Sequence, residues 1–263
     1  MLDKKAVFFD IDGTIWDINN EIPKSTILAI RKLRENGHLA FLNSGRCRSY
    51  IFAEHLLDIG FDGIVSGCGT MVEIGGLVRF YHRLRQEAAV EAVKKVRSYG
   101  FRPILEGRYD LYIDVEDDFR GDSYCEKLTR EMGERILPIQ RYWGQWEISK
   151  LSCATEGCDV YACRDEMADE YDFMIHNPHV VEIVPKGFTK GSGIKKVCEL
   201  LDMDISDTIA FGDSVNDLDM LDVAGLGVVM GSGSDEAKEH ADHVTTGLYE
   251  NGLAEGLIHL GLI

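Results

Sequence analysis

No apolar run in the 263-residue chain approaches the ~18 residues a membrane-crossing helix needs, which excludes a helical membrane protein. Basic charge is scarce: Lys+Arg number 28 against Asp+Glu 45, for a formal net charge of −17. That balance excludes a generic nucleic-acid binder and a basic membrane-surface protein. It still admits an anionic substrate, because binding depends on the local field of a pocket. Cysteine pairing signals are also missing. Cys47, Cys68, Cys125, Cys153, Cys158, Cys163 and Cys198 are odd in number and widely spread, as expected of reduced thiols used as small buried hydrophobes. The spacing of Cys153, Cys158 and Cys163 is not the short-pair spacing of a structural zinc site. His176, His179, His240 and His243 read as surface or capping residues, not ligands. The first apolar stretch, Ala6 to Phe9, is too short for a secretory signal, so the expected location is cytoplasmic. There is no repeat, no low-complexity tract and no Ser/Gly-rich linker.

What is present is ordinary globular material, 45% hydrophobic and 28% charged, long enough for one large domain or a domain with an insert. The first segment alternates strand and helix signals. Lys5 to Asp10 is a short apolar run suited to a buried parallel strand. Ile22 to Asn36 reads as a helix with Ile27, Ile30 and Leu33 on one face, ended by Gly37. A strand at His38 to Asn43, a helix at Ser49 to Asp58 and a strand at Gly63 to Ser66 continue the alternation, which implies a parallel sheet covered on both faces.

The texture then changes. Gly69 to Tyr81 predicts a hairpin turning at Gly75-Gly76, and Glu87 to Tyr99 a helix burying Val90, Val93 and Val96. Paired strands at Arg102 to Glu106 and Tyr109 to Val115, helices at Phe119 to Met132 and Cys158 to Ala168, and strands at Glu147 to Cys153, Phe173 to His176 and Val180 to Val184 predict an α+β unit with an antiparallel sheet. From Lys190 the first texture returns: helix Gly191 to Leu201, strand Thr208 to Gly212, helix Asn216 to Ala224, strand Leu226 to Met230, helix Asp235 to His240, strand His243 to Thr245 and helix Asn251 to Leu260. The expected fold class is therefore α/β, a Rossmann-like parallel-sheet core built from residues 1–82 and 184–263, with an α+β domain inserted at 83–183.

Four stretches carry chemistry. Asp10-Ile11-Asp12-Gly13-Thr14 follows a buried strand directly, at the edge where open α/β sheets bind ligands. Gly212-Asp213-Ser214-Val215-Asn216-Asp217 again delivers carboxylates from an apolar strand to the start of a helix. Capping of that helix by Asp213 or Ser214 accounts for one polar residue, not three. If the two clusters converge, Asp10, Asp12, Asp213 and Asp217 repel one another by about 4 kcal/mol per pair at ~4 Å and an effective dielectric near ~20. Such a cluster calls for a cation, and all-oxygen donors with room for water point to Mg²⁺ over zinc. Asn43-Ser44-Gly45-Arg46 can hold a phosphate oxygen through a hydroxyl and backbone N–H groups, although taken by itself a simple Ser-Gly turn is the better reading. Lys190 opens a helix, the end the macrodipole makes unfavourable for a cation, and this is explained if it points at an anion.

These four pieces, in this order and at these strand ends, resemble the four motifs of the haloacid dehalogenase superfamily: Asp10 to Thr14 the first, Ser44 the second, Lys190 the third, Gly212 to Asp217 the fourth. The insert between the second and third resembles the larger cap of the Cof-type, subclass IIB phosphatases. Met220 to Gly225, Met230-Gly231 and Ala241 to Thr245 are also similar to that group. Ser44 stands where threonine is more usual, so the hydroxyl is kept. Gly231-Ser232-Gly233 departs from the usual Asn-Ala after Met-Gly.

The resemblance implies Asp10 as nucleophile and Asp12 as general acid and then base. It implies Mg²⁺ held by Asp10, Asp213 and the main-chain oxygen of Asp12, with Asn216 and Asp217 in support. Ser44, Gly45, Lys190 and Asn216 would bind the phosphoryl group. The implied activity is hydrolysis of small phosphorylated metabolites, sugar phosphates foremost, with the insert as a lid that sets specificity. Alternatives are a sugar-phosphate mutase and, less well supported, a non-catalytic metabolite-binding protein. No nucleic-acid or membrane partner is expected, and no oligomeric state is assigned. Ile15 to Ile22 shows no catalytic group and is expected to form a short flap. Arg108, Tyr109, Trp143, Trp146 and Lys150 could line the cleft, but they read equally as surface or core residues of the insert.

Overall fold

The computed structural model describes residues 4–114, 122–177 and 179–263. In chain order the strands and α-helices are β1 (Ala6–Phe9), α1 (Lys24–Glu35), β2 (Leu39–Asn43), α2 (Glu54–Leu57), β3 (Gly63–Ser66), β4 (Met71–Ile74), β5 (Leu77–Tyr81), α3 (Gln86–Ser98), β6 (Pro103–Glu106), β7 (Leu111–Ile113), α4 (Ser123–Met132), β8 (Ile136–Pro138), β9 (Lys150–Ala154), α5 (Val160–Met167), β10 (Tyr171–Asn177), β11 (Val180–Pro185), α6 (Lys190–Leu201), β12 (Thr208–Gly212), α7 (Leu218–Val223), β13 (Leu226–Val229), α8 (Asp235–Glu239), β14 (His243–Val244) and α9 (Gly252–His259).

Two compact units result, one from residues 1–45, 52–80 and 189–263, the other from 46–51 and 81–188. The first is built on an eight-stranded sheet ordered β14-β13-β12-β1-β2-β3-β4-β5. From β14 to β3 every neighbouring pair is parallel, and β4 then runs antiparallel to β3. Every residue of β1 and β12 is buried, which explains why both read as continuous apolar runs and not as alternating ones. Phe8 stacks on Phe41 of the neighbouring strand, and Ile194 and Val197 of α6 complete that side of the core with Met220 of α7. Among the described residues no helix is long and apolar enough to cross a membrane.

The second unit has a six-stranded sheet ordered β10-β11-β9-β6-β7-β8. It is mixed, not purely antiparallel as the sequence suggests, because β8 pairs parallel to β7. Leu105, Leu151 and Ile183 lie side by side on one face, in a core shared with Val93 and Val96 of α3 and with Trp146. Trp146 is thus a core residue of this unit, Tyr109 is exposed, and Lys150 is buried in ion pairs with Glu106 and Glu182 at 3.2 and 2.9 Å. The expected helix from Ser49 to Asp58 is instead a 3-10 turn at Arg48–Tyr50 and the single turn α2. Ser49 sits within the 3-10 turn, and its hydroxyl donates to the Gly107 carbonyl at 2.9 Å. That bond places residues 46–51 with the second unit, whereas the sequence reading leaves them in the first. Of the expected strand end at Val115 and helix start at Phe119, both residues lie outside the described ones.

Candidate active site

β1 lies between β2 and β12, the point from which successive connections run to opposite sides of the sheet, and the ends of such strands are where open α/β sheets bind ligands. The parallel register pairs Phe9 with Phe211, and the Asp10 N–H continues the ladder by donating to the Phe211 carbonyl at 2.9 Å. Asp10 therefore leaves β1 beside the point where Gly212 and Asp213 leave β12. The two acidic clusters, far apart in sequence, meet because their strands are neighbours.

Lys190 is the first residue of α6, which Thr189 and Ser192 close with a reciprocal capping box. Its ammonium donates to Asp10 Oδ1 and to Asp217 Oδ1, each at 2.6 Å, and all three side chains are buried. The other oxygen of Asp217 accepts the main-chain N–H groups of Asp213 and Ser214 at 2.9 and 3.2 Å, which fixes the loop that presents Asp213. Gly212 makes room for this, since a Cβ there would lie 2.7 Å from the Asp217 side chain.

Among the described residues, Asp10, Asp213 and Asp217 form a cluster in which one carboxylate oxygen from each lies within 4.8 Å of the others. Burial pushes the Asp10 carboxyl well above its usual range; Lys190 opposes this, and Asp217, Asp213 and Asp12 add to it. Asp213 is pushed up to about 7, first by burial and then by Asp217, with Lys190 again opposing. Burial disfavours charge on Lys190 as well, but the adjoining carboxylates outweigh it and hold the ammonium protonated. Three carboxylates and one ammonium sum to −2 when ionised, the charge one divalent cation offsets. The hard, all-oxygen donor set fits such an ion.

Of the other residues singled out in the sequence, Ser44 and Gly45 are buried at the end of β2. They follow Asn43, whose amide donates to the Lys190 carbonyl at 3.1 Å and ties the end of β2 to the start of α6. Asp12 is exposed, and its Oδ1 accepts the indole N–H of Trp16 at 2.9 Å. Asn216 is turned toward Ser214, whose hydroxyl donates to its Oδ1 at 2.6 Å. The sequence assigns no role of their own to Asn43 and Thr14, although both lie in its motifs, nor to Trp16; the Thr14 hydroxyl reaches Asp213 at 3.5 Å. An Asn closing an apolar strand directly before Ser-Gly was the one available signal.

Comparison with known proteins agrees with this geometry. A family model described as haloacid dehalogenase-like hydrolase matches residues 7–257. The Bacillus subtilis protein YkrA is 32% identical over the whole of both chains. A second B. subtilis protein, the 5-amino-6-(5-phospho-D-ribitylamino)uracil phosphatase YitU, is 28% identical over 95% of each chain. Among solved structures, the HAD subclass IIB sugar phosphatase BT4131 superposes with a TM-score of 0.84 at 24% identity, covering 99% of this chain and 100% of that one. With its aspartates beyond the ends of β1 and β12 and Lys190 at the start of α6 bonded to two of them, the chain belongs to the haloacid dehalogenase-like hydrolases and is a phosphatase of their Cof-type group.

Proposed function

We propose that this phosphatase is a Mg²⁺-dependent phosphomonoester hydrolase working through an aspartyl-phosphate on Asp10, with small phosphorylated metabolites, sugar phosphates foremost, as substrates. The observation that carries the reading is the placing of Asp10 just beyond the end of β1, bonded to Lys190 and flanked by Asp213 and Asp217. Asp10, Asp213 and Asp217 would hold the cation, which when bound supplies positive charge against the phosphate and the carboxylates. Lys190, with the Ser44 hydroxyl and the Gly45 N–H, would bind the transferring phosphoryl oxygens.

In the first step an Asp10 carboxylate oxygen bonds to phosphorus and the bond from phosphorus to the leaving oxygen breaks. The leaving oxygen takes its proton from Asp12 and departs as the free alcohol. In the second step Asp12, now ionised, takes a proton from water as the water oxygen bonds to phosphorus. The acyl–phosphate bond breaks, releasing inorganic phosphate and restoring Asp10 and protonated Asp12. Lys190 is suited to both steps because its ammonium is shared between Asp10 and Asp217 and can follow the charge as Asp10 becomes esterified.

The sugar-phosphate class is supported by the relative YitU, which by name removes phosphate from a phosphoribitylamino compound. The inserted second unit is the proposed source of selectivity among such substrates. None of the seven cysteines is in a disulfide, which suits a reducing compartment, the cytoplasm in this reading.

The test is Asp10→Asn, assayed with Mg²⁺ on a panel of sugar phosphates. Turnover should vanish while the folded state persists, since an amide fills the same space. Wild-type turnover in that variant would remove Asp10 as nucleophile. An isomeric sugar phosphate accumulating in place of free phosphate would establish a mutase.

A further inference from the structure

The segment after Asp12 has no acid, base or nucleophile of its own in the proposed reaction, yet it grips the catalytic loop. Trp16 is only 3% exposed, although it sits in a loop. Its indole N–H donates to Asp12 Oδ1 at 2.9 Å. Its main chain holds the same residues: the Gly13 N–H donates to the Trp16 carbonyl at 2.9 Å, and the Trp16 N–H donates to the Ile11 carbonyl at 3.1 Å. On its far side the indole stacks on His55, with ring centroids 5.8 Å apart and planes 30° apart. The His55 Nε2 is 2.9 Å from the Asn20 carbonyl, so the ring is itself tethered to the end of the loop.

A buried indole N–H needs a partner, and backbone carbonyls are the common ones. Here the partner is the carboxylate of an exposed residue. An indole can only donate, so the bond gives Oδ1 an acceptor's part and sets the plane of the carboxylate. Asp12 must face the leaving oxygen in one step and a water in the next, so an exposed carboxylate left to its own rotamers would lose much of its effectiveness. We propose that Trp16 is a positioning residue for Asp12, its indole N–H fixing the orientation of the carboxylate so that Oδ2 delivers and takes the proton. This rests on the acid–base reading of Asp12.

Trp16→Phe keeps an aromatic ring against His55 and deletes only the donor. Replacement of Trp16 by 3-benzothienylalanine, which carries sulfur where the indole has N–H, keeps the full bicyclic shape should Phe pack poorly. Both should lower kcat for an alkyl phosphate such as glycerol phosphate by about 10-fold to 100-fold, part of what a general acid–base supplies, with KM unchanged. With p-nitrophenyl phosphate, whose leaving group needs no proton, the first release of nitrophenolate in a single turnover should stay at the wild-type rate. The phosphate release that follows should slow, because it still needs the base. A merely structural Trp16 would move KM and the two substrates together.

Asp12→Asn separates the two ideas. If it is inactive on glycerol phosphate while the benzothienylalanine protein keeps wild-type kcat, the positioning role is overturned and the acid–base reading stands. If Asp12→Asn itself keeps full turnover, the acid–base reading falls and this inference with it.

Discussion

Lys190 Nζ bridges Asp10 and Asp217 at 2.6 Å each, and all three side chains are buried. A cation at the first turn of a helix opposes the macrodipole, and a buried one is further penalised by lost hydration. Two carboxylates repay both costs. Lys190→Met removes the ammonium and leaves the carboxylates facing one another. The expected result is a loss of about 3–5 kcal/mol, typical of breaking a buried pair from one side, seen in urea unfolding, together with loss of turnover. Part of the stability should return on adding Mg²⁺; activity should not, since Lys190 is also the proposed phosphate ligand.

The raised carboxyl of Asp213 predicts a pH dependence with a definite sign. Its value rises from 3.8 to about 7 on folding, so between those limits the folded protein holds a proton the unfolded chain has released. Stability of the metal-free protein should therefore fall as pH rises from about 4 to about 7. A divalent cation takes the place of that proton, so in Mg²⁺ the fall should disappear and binding below pH ~7 should release protons. Calorimetry in EDTA and in Mg²⁺, with buffers of different ionisation heats, measures both. Asp213→Asn should make the metal-free curve shallower, leaving the part that the raised Asp10 carboxyl contributes with the same sign.

Much of the core was legible in the sequence because one physical pattern repeats: a short apolar run, then residues unsuited to continuing it. Asp10 after Phe9 and Asp213 after Gly212 follow that rule, and Lys190 stood out by contradicting the dipole. The illegible parts depend on partners chosen only in three dimensions. Ser49 lies in a helical pattern that becomes a 3-10 turn, its hydroxyl bonded to the Gly107 carbonyl. β8 is three residues ending in proline, too short for any periodic signal. Trp16 looks like one more apolar residue until its N–H is seen to face Asp12.

Asn43 shows the same limit and yields a prediction. Its amide donates to the Lys190 carbonyl at 3.1 Å, while its own Oδ1 is buried with no hydrogen-bond partner among the described residues. Asn43→Leu loses the bond to the Lys190 carbonyl and a weak one to Met220 Sδ at 3.4 Å, but also removes an unsatisfied acceptor. These effects oppose each other, so stability should change by no more than about 1 kcal/mol. Activity should fall more than stability, because the start of α6 loses its tie to β2 and Lys190 loses its placement. A thermal melt close to wild type with a raised KM for substrate is the expected pairing.

Gly13 offers the sharpest steric test of how the two acidic clusters meet. Its φ is +88°, a conformation that L residues adopt only at a cost, and an added Cβ would lie 2.3 Å from Asp213 Oδ2. The Asp213 side chain cannot stay in place beside a methyl group at that distance. Gly13→Ala therefore combines a backbone penalty of about 1 kcal/mol with displacement of a carboxylate from the cluster. Swinging Asp213 away relieves the clash cheaply, since it is held by only a 3.5 Å bond from Thr14. The protein should fold with a modestly lowered melting temperature, while Mg²⁺ affinity by calorimetry falls at least 10-fold, the scale of a disturbed metal-site partner, and turnover falls with it. Raising Mg²⁺ should recover part of that turnover if the displaced carboxylate is the cause, and none of it if the backbone strain reaches Asp10 and Asp12 instead.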